Sequence, residues 1–497
     1  MTASFRRNLS AALIAALLFC VAVCGCAPGG EGSVADNGGM SGTGISQGAV
    51  NSFGSIFVNG IEWDIDSATI TLDGVPANEA DLRLGMVVRV NGDFTTTGTT
   101  GTATSVSFDY TLEGPIESAP VDVGPTGIEK SFTTLDQTVI MNSETTAFDG
   151  GASFLGLAED DVVQISGFVD DLGAIRATRI LLLGAFPALS DAGLQGIVSN
   201  IDTNPDGSGD FNIGTLLVHY DAGTTFTEIT REDLANGDRI VAHGILRITG
   251  TDLDATEIRP ETLGLGSGDA EEAEIEGIVS NFVSNSSFQV SGTPIDASAA
   301  TFDPPGFIVM NGFEVEVEGS LVNGVLIADR VESEGVSDNV RIEAAVSSIN
   351  SAARELTVLG VTVIVDGDVR IEDDRDDLDN FGFDDIQVDD FLEIRGVQTG
   401  PTTILALRIE RIEDEDDLFL EGPVTALDIN APSLSIMGQS IPIVSGTLYF
   451  DDLDQARTEE EFFRTPGDVM LGDLVKATDE DAANLRVLGV ADEVELE

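Results

Sequence analysis

Basic side chains are rare in this 497-residue chain. Lysine occurs only at Lys130 and Lys476, and histidine only at His219 and His243. With 23 Lys plus Arg against 87 Asp plus Glu, the formal net charge is −64. Binding to a phosphate backbone needs clustered Lys and Arg, so nucleic acid and anionic lipid surfaces are poor partners. Two histidines also leave few groups for acid–base catalysis near neutral pH.

Tryptophan and tyrosine are scarce as well. The chain has 25 Phe but only 1 Trp and 3 Tyr. Carbohydrate platforms usually expose Trp or Tyr, so few residues could form one in each part of the chain. The Phe residues at alternating positions, such as Phe211 and Phe288, are predicted to be core. Because 42% of the residues are hydrophobic, the acidic composition does not indicate disorder.

Residues 1–25 read as an export signal. Arg6 and Arg7 precede an apolar run, Leu9–Val23, that is short for a spanning helix. The run ends in Val-Cys-Gly-Cys26, which resembles a bacterial lipobox and predicts lipidation of Cys26. The alternative is ordinary cleavage after Ala27. Cleavage before Cys26 leaves one cysteine, which lipidation would use.

The predicted partner of the N-terminus is therefore a membrane, reached through a lipid anchor. In lipoproteins, Asp after the lipidated Cys often signals inner-membrane retention, and here that residue is Ala27. We expect an exported outer-membrane lipoprotein that lies on either the periplasmic or the cell-surface face of that membrane. Residues 26–44 are rich in Gly and Ser and read as a tether.

The rest of the chain is a tandem repeat. The motif Ala-x-x-Val/Ile recurs six times, and five copies follow a Gly that closes an alternating strand. We define repeats 1 to 6 as residues 45–110, 111–184, 193–262, 274–336, 338–413 and 417–497. A period above 70 residues is long for a solenoid, so the repeats are predicted to be separate small domains in an extended acidic array.

Within a repeat the hydrophobic period is two, which indicates strands. In repeat 3, Thr230 and Asp233 resemble a capping box for a short helix between the third and fourth of five strands. The predicted fold class is all-β, with six tandem five-stranded OB-like barrels. A small sandwich is the alternative.

The order G-x-V-x-S, F-x-V-x-G, Thr, G-D-x-V-x-V-x-G and A-x-x-I resembles the bacterial Domain of Unknown Function 5666 family. The resemblance covers nearly all of residues 45–497 and is weakest in repeat 6. It implies repeated extracytoplasmic β domains, often carried on lipoproteins. The family has no established activity, so the resemblance assigns no functional residues.

The best candidate metal site is the loop D-x-N-x-D-G-x-x-D. Its possible calcium ligands are Asp202, Asn204, Asp206 and Asp210, because calcium prefers several hard oxygens. The twelfth position is Ile213, where an EF-hand has a bidentate Glu. Asn-Pro-Asp-Gly is also turn chemistry, so a plain β-hairpin is the alternative.

Two further clusters are weaker candidates. The acidic run from Asp373 to Asp390 could hold calcium or be a hydrated loop. His219 and His243 lie in one repeat and could share a metal, although isolated strand histidines are more often structural. Calcium is the one cofactor that these residues suggest. Residues 263–268 read as a linker rather than a phosphate-binding loop.

These features predict a non-enzymatic, lipid-anchored protein of the cell envelope with a structural or binding role. Repetition without a unique residue cluster favours this reading over catalysis. The alternatives are a carbohydrate- or peptide-binding module with a groove on each barrel, and a hydrolase in repeats 5 and 6, where insertions enlarge the repeat.

Overall fold

The computed structural model describes residues 43–497, apart from 96–98, 125–126, 171, 186–190, 248–251, 262–263, 267, 334–339, 415–416, 429–432, 442, 453–454, 464–468, 481 and 483. Cys26 and the predicted signal and tether lie outside these residues. Most of the described chain is β-strand. Its helices are one α-helix, α1 (Glu459–Phe463), and two 3₁₀ helices, Glu79–Asp81 and Phe383–Asp385. None of these helices has the length and apolar character needed to cross a membrane.

The strands of the first three repeats follow one another along the chain. Repeat 1 contains β1 (Thr43–Ala49), β2 (Ser52–Phe53), β3 (Ile56–Val58), β4 (Ile61–Asp64), β5 (Thr69–Leu72), β6 (Val75–Ala77), β7 (Val87–Phe94) and β8 (Thr100–Phe108). Repeat 2 contains β9 (Leu112–Pro115), β10 (Val121–Asp122), β11 (Glu129–Thr134), β12 (Gln137–Asn142), β13 (Ala147–Asp149), β14 (Asp161–Val169) and β15 (Ile175–Ala185). Repeat 3 contains β16 (Asp191–Thr203), β17 (Gly209–Ile213), β18 (Leu216–Tyr220), β19 (Thr225–Phe226), β20 (Arg239–Leu246) and β21 (Asp252–Pro260).

The last three repeats have the same order of long and short strands. Repeat 4 contains β22 (Ala270–Ser284), β23 (Ser287–Val290), β24 (Thr293–Asp296), β25 (Thr301–Asp303), β26 (Glu314–Val322) and β27 (Val325–Ser333). Repeat 5 contains β28 (Val340–Asn350), β29 (Glu355–Val358), β30 (Val361–Ile364), β31 (Arg370–Asp373), β32 (Phe391–Gly400) and β33 (Thr403–Arg411). Repeat 6 contains β34 (Leu418–Asp428), β35 (Ser433–Ile436), β36 (Gln439–Ile441), β37 (Ile443–Phe450), β38 (Ala456–Arg457), β39 (Leu474–Asp479) and β40 (Ala491–Leu496).

Repeats 3, 4 and 5 each close into a five-stranded barrel. In repeat 3 the ring runs β16–β17–β18–β21–β20 and returns to β16. All neighbours in this ring are antiparallel except β18 and β21, which are parallel. Closure pairs every strand of the ring and leaves no free barrel edge. In repeat 2 a single bridge between Ile116 and Thr134 joins the first strand region to β11.

The recurring Gly and Ala of the sequence form a β-bulge. In repeat 4 the pairing steps from Glu318–Arg330 to Gly319–Ala328, so β27 carries one extra residue. A Cβ atom on Gly319 would lie 2.0 Å from the carbonyl oxygen of Ile327, which only glycine avoids. Repeat 6 lacks this Gly, and its β39–β40 ladder has no such register shift. The same bulge occurs at Gly92, Gly167, Gly244 and Gly396.

The predicted core positions are confirmed. Phe211 and Phe288 are buried, and so is the Ala of every Ala-x-x-Val/Ile motif. One core spans repeats 2 and 3, and another spans repeats 5 and 6. Repeats 1 and 4 have cores of their own. Shared cores mean that neighbouring repeats stabilise one another.

The predicted helix of repeat 3 is wrong. Asp233 N donates to Thr230 O, and the Thr230 and Asp233 side chains also bond, at 2.5 Å. The next residues do not continue as a helix, because Leu234 turns inward and Gly237 adopts φ +98°. The segment is a turn, whereas repeats 1 and 5 have a 3₁₀ helix and repeat 6 has α1 at this place.

The prediction of an extended array of separate domains is also wrong. Repeats 1 and 4 share one sheet through the parallel pair β1–β22, although repeats 2 and 3 lie between them in sequence. Repeats 2 and 3 share a second sheet, and repeats 5 and 6 a third. Ser41–Glu497 form one compact unit. Strand edges that would be exposed in isolated barrels pair with each other here and join the repeats.

Side-chain and backbone contacts connect the three sheets. Val87, Phe168 and Ile278 form a small apolar cluster from repeats 1, 2 and 4. Ile371 N in repeat 5 donates to Asn51 O in repeat 1, at 3.1 Å. Within the predicted linker at 263–268, Leu265 is fully buried.

Candidate functional site

The first candidate site is a cavity where four repeats meet. Its volume is about 370 Å³, and residues of repeats 1, 2, 3 and 4 line it. Small-molecule sites usually have about 300–1,000 Å³ and a few convergent polar groups. No two repeats contribute the same set of residues, so this site occurs once in the chain rather than once per repeat.

Two buried glutamines, one from repeat 1 and one from repeat 3, belong to the cavity lining. Gln47 lies in β1 and is fully buried, and Gln195 lies in β16 and is 5% exposed. Gln47 Oε1 accepts a hydrogen bond from Gly264 N. Gln195 Nε2 donates to the carbonyl oxygens of Asp109 and Tyr110, at 2.8 and 2.6 Å. These bonds determine which way each amide is turned.

The remaining amide atoms have no partner among the described residues. They are Gln47 Nε2, a donor, and Gln195 Oε1, an acceptor. Buried polar atoms in folded proteins almost always have a partner, which can be a protein group, a water molecule or a ligand. Both atoms are themselves inaccessible to solvent, so they lie behind the surface of the cavity rather than on it.

An ion pair supplies two more polar atoms. Arg239 Nη2 and Glu261 Oε1 are 2.8 Å apart, and the Glu261 side chain is only 2% exposed. Arg239 Nε and Glu261 Oε2 have no partner among the described residues. Burial raises the pKa of Glu261, and the neighbouring Arg239 opposes that rise. The pair brings opposite charges together and leaves one donor and one acceptor unused.

Asp170 is a further charged residue of the lining, and its carboxylate already has hydrogen-bond partners. Asp170 Oδ1 accepts hydrogen bonds from the backbone nitrogens of Leu172 and Ala174, both at 2.9 Å. Arg176 Nε lies 3.8 Å from its other oxygen. Asp170 therefore shapes the loop beside the cavity rather than offering a free base.

Sequence reasoning missed these residues, although a signal was present. Gln47 and Gln195 both stand directly before the residue that opens a repeat, Gly48 or Gly196. The same position holds Glu in the other four repeats, at Glu113, Glu276, Glu343 and Glu421. The two repeats that place this side chain in the cavity are thus the two that carry an uncharged amide.

The predicted calcium loop folds as a hairpin turn. Asp202 pairs with Asp210 across β16 and β17. Asp206 Oδ1 accepts from Ser208 N and Ser208 Oγ, at 3.0 and 2.7 Å, and these bonds lower the pKa of Asp206. Asn204 Nδ2 donates to Ser208 Oγ. The turn uses these side chains internally, and calcium binding by them stays a prediction.

The acidic run is organised by arginines. Arg411 Nε lies 2.6 Å from Asp373 Oδ1, and that carboxylate is fully buried. Arg375 Nη1 lies 3.0 Å from Asp390 Oδ1. A second, smaller cavity of about 130 Å³ borders this run and contains the pair Arg83–Asp379, at 3.0 Å. Paired charges of this kind leave little that would attract a further ion.

The two histidines have different partners. His219 Nδ1 lies 2.5 Å from Asp210 Oδ1, whereas His243 Nδ1 lies 2.6 Å from the Tyr110 hydroxyl. Burial lowers the pKa of His243. Across the described part of the chain, no group of three or more His, Cys, Asp or Glu is placed to hold a metal ion. The metal reading of the histidine pair therefore gains no support.

The four residues that could form aromatic platforms are buried. Trp63 is fully buried, and Tyr110, Tyr220 and Tyr449 are at most 5% exposed. None of them presents a stacking face at a barrel surface. A stacking site that repeats on every barrel therefore has no exposed Trp or Tyr among the described residues to support it.

The fold defines an all-β repeat protein that contains closed five-stranded barrels and cavities lined by several repeats. The sequence profile of the domain of unknown function DUF5666 matches residues 45–107, 113–180, 195–259, 276–332 and 343–410. These segments make up more than half of the chain, so the chain belongs to the DUF5666 family. This confirms the family resemblance for the first five repeats.

Two other comparisons add little. A search of curated proteins gave no match. Among solved structures, the chain is similar to one described as drosophila Unr CSD456, with 16% identity over 46% of this chain and 98% of that chain. The TM-score is 0.13, which supports no inference about fold or function.

Proposed function

We propose that this protein is a non-enzymatic binding protein of the cell envelope, anchored by a lipid on Cys26. Its six repeats are OB-like units, three of them closed barrels, and a short helical or turn segment precedes the fourth long strand of each. The repeats act together as one acidic body. Its binding site is the cavity among repeats 1 to 4.

One observation carries the binding role. Residues of repeats 1 to 4 border one space of about 370 Å³, and its lining includes polar residues such as Asp170, Arg239 and Asn281. The cavity is also of the size that small ligands use.

The same lining supports the non-enzymatic part of the proposal. A catalytic base or nucleophile needs a free side chain beside the substrate. The carboxylates of the lining are Asp170, held by two backbone N–H groups, and Glu261, paired with Arg239. Neither is placed as an unpaired general base.

Ligand screening tests the binding role. Thermal shifts are measured for residues 27–497 against a mixed set of neutral, anionic and cationic small molecules. Ser280→Trp places an indole in the cavity, because Ser280 lies in β22 and lines it. Ser199→Trp is the matched control, since Ser199 occupies the same Gly-Ile-Val-Ser position in β16 and is equally half-buried outside the lining.

The proposal expects at least one compound that raises the melting temperature of the wild type and of Ser199→Trp but not of Ser280→Trp. The bound compound should be recovered chemically unchanged. If the compound binds to Ser280→Trp as well as to Ser199→Trp, the binding site lies elsewhere. Conversion of the compound to a product would overturn the non-enzymatic role.

Lipid labelling tests the anchor separately. Cells that express the full chain are grown with a labelled fatty acid, and the protein is isolated from the outer membrane. We expect label on the wild type and none on Cys26→Ala. Equal release of both forms into the soluble fraction would contradict lipid anchoring and leave the ligand-binding role untouched.

A further inference from the structure

One wall of the repeat 4 barrel carries glutamates that point away from its core. In the ladder between β22 and β26, Glu274 lies opposite Glu318, and Glu276 lies opposite Glu316. Directly opposite residues of an antiparallel pair share one face of the sheet, and like charges in that position repel each other. We call this surface the glutamate face and define it by Glu274, Glu276, Glu314, Glu316, Glu318 and Glu332.

Part of the glutamate face is buried. Glu274 and Glu316 are only 9% and 7% exposed. The Oε2 atom of Glu274 has no hydrogen-bond partner among the described residues. An ionised carboxylate is costly to bury without a partner, and such a group usually takes up a proton instead. Glu274 is therefore expected to hold a proton in the folded protein.

One arginine is shared by several carboxylates at the edge of this face. Arg330 of β27 lies opposite Glu318 in the ladder. Its guanidinium nitrogens lie 3.1 Å from Glu318 Oε1, 2.6 Å from Glu332 Oε2 and 3.0 Å from Asp303 Oδ2. Glu274 is not one of these three partners. A single positive charge divided among three carboxylates leaves the repulsion on the face largely uncompensated.

Repeats 1 and 5 contact the glutamate face. Ala49 N, at the end of β1 in repeat 1, donates to Glu276 Oε2 at 2.8 Å. In repeat 5, Asp368 lies in the turn between β30 and β31, and its charge acts on Glu274. A Cβ atom on Gly60 of repeat 1 would lie 3.0 Å from Asp368 Oδ1. The carboxylates of repeats 4 and 5 and the backbone of repeat 1 therefore meet at one contact.

The electrostatics of the contact agree with its geometry. Burial raises the pKa of Glu274 well above its ordinary value, repulsion from Glu318, Asp368 and Glu272 adds to the rise, and a hydrogen bond with Ser46 opposes it. Interacting carboxylates release protons as a group rather than one residue at a time. The charged groups that act here are Glu272, Glu276 and Glu318, which face Glu274, and Arg330, Glu332 and Asp366, which face Asp368.

We propose that the glutamate face holds a shared proton, and that the loss of this proton as the pH rises weakens the contacts of repeat 4 with repeats 1 and 5. A carboxyl group whose folded pKa is raised contributes stability that is present below its unfolded pKa and is lost as the pH rises through its folded pKa. The contact is therefore tightest in acid and loosens on the alkaline side. This device does not depend on a ligand in the cavity.

Hydrogen exchange at two backbone amides tests the proposal. Ile371 N donates to Asn51 O at 3.1 Å and reports the contact of repeat 5 with repeat 1. Ala345 N donates to Leu485 O at 2.7 Å and reports a contact between repeats 5 and 6 as the control. Protection is measured from pH 5 to pH 9 and corrected for the base catalysis of exchange itself.

We expect the protection of Ile371 to fall by about tenfold or more over this range, because one pKa unit corresponds to a factor of ten in the opening equilibrium. The protection of Ala345 should stay constant. An equal fall at both amides, or no fall at either, would overturn the proposal.

Glu274→Gln is the decisive variant, because the amide has a similar shape and cannot ionise. It should keep Ile371 protected at pH 9. Glu271→Gln is the matched control, since Glu271 lies on the same strand with an exposed side chain, and it should behave like the wild type. A fall that persists in Glu274→Gln would contradict the assigned proton.

Glu318→Gln gives a second measurement if Glu274→Gln does not fold. Glu318 is the carboxylate whose repulsion raises the pKa of Glu274 most, so removing its charge should move the midpoint of the fall to lower pH. An unchanged midpoint in this variant would refute a proton shared on the glutamate face.

Discussion

Breaking the buried ion pair between Asp109 and Arg259 should loosen the whole assembly. Asp109 follows β8 of repeat 1, and Arg259 lies in β21 of repeat 3, 150 residues away. Arg259 Nη1 lies 3.0 Å from Asp109 Oδ2, and Nη2 bonds the other oxygen. The two side chains are 2% and 9% exposed. The substitution Arg259→Met keeps the aliphatic stem but removes the guanidinium group that the buried Asp109 carboxylate bonds.

The expected cost is about 3–5 kcal/mol of the free energy of unfolding, which is typical when one member of a buried pair is removed. Asp109→Asn should cost less, because an amide oxygen can still accept from Arg259. The double variant should lose less than the two single losses added together, by about 0.5–3 kcal/mol, because the residues contact each other.

Urea denaturation followed by fluorescence and circular dichroism measures these losses. Arg247→Met is a matched control, since Arg247 forms a similar bond to Asp254, at 2.6 Å, where both side chains are exposed. Exposed pairs contribute little to stability, so this variant should behave like the wild type. Equal, small effects of Arg259→Met and Arg247→Met would refute a buried contact between repeats 1 and 3.

Three further predictions follow from the packing. Gly319→Ala should destabilise the protein by about 1–3 kcal/mol, because the new Cβ would meet the Ile327 carbonyl, whereas Gly268→Ala, with open space around it, should have little effect in the same urea assay. Burial, followed by repulsion from Glu318, raises the pKa of Glu274 well above its ordinary value. The stability that protonated Glu274 contributes is therefore present below its unfolded pKa and is lost as the pH rises through its folded pKa. Glu274→Gln should therefore raise the melting temperature at pH 8 and change it little at pH 4; an equal gain at both would contradict a buried carboxylate. Calcium at matched ionic strength should raise the melting temperature no more than magnesium if the Asp206 loop is only a turn, and a calcium-specific rise that Asp206→Asn removes would restore the metal reading.

Much of each repeat could be predicted from the sequence, because each strand is indicated by residues that are close together in the chain. Alternating residues indicated strands, and the recurring Gly and Ala marked equivalent positions in the repeats, which the structure shows to pair at Gly319 and Ala328. The physical reason for that Gly, a bulge with no room for a side chain, appears only when the partner strand is in place. The helix in repeat 3 failed because Thr230 and Asp233 bond equally well in a single turn.

The association of the repeats could not be predicted in the same way. The opening strands of all repeats have similar patterns, so nothing local indicates that β1 pairs with β22 of repeat 4. The cavity could not be predicted from the sequence for the same reason. The choice of Gln47 and Gln195 over Glu is visible in the sequence, but only the fold places both side chains beside Arg239 and Glu261.

Scanning calorimetry of residues 27–497 tests the interlocked fold most directly. Because sheets and cores are shared between repeats, we expect a single cooperative transition whose calorimetric and van't Hoff enthalpies agree. Arg259→Met should shift that whole transition to lower temperature. Several separate transitions, with Arg259→Met moving only one of them, would contradict the interlocked fold and with it a cavity built by four repeats.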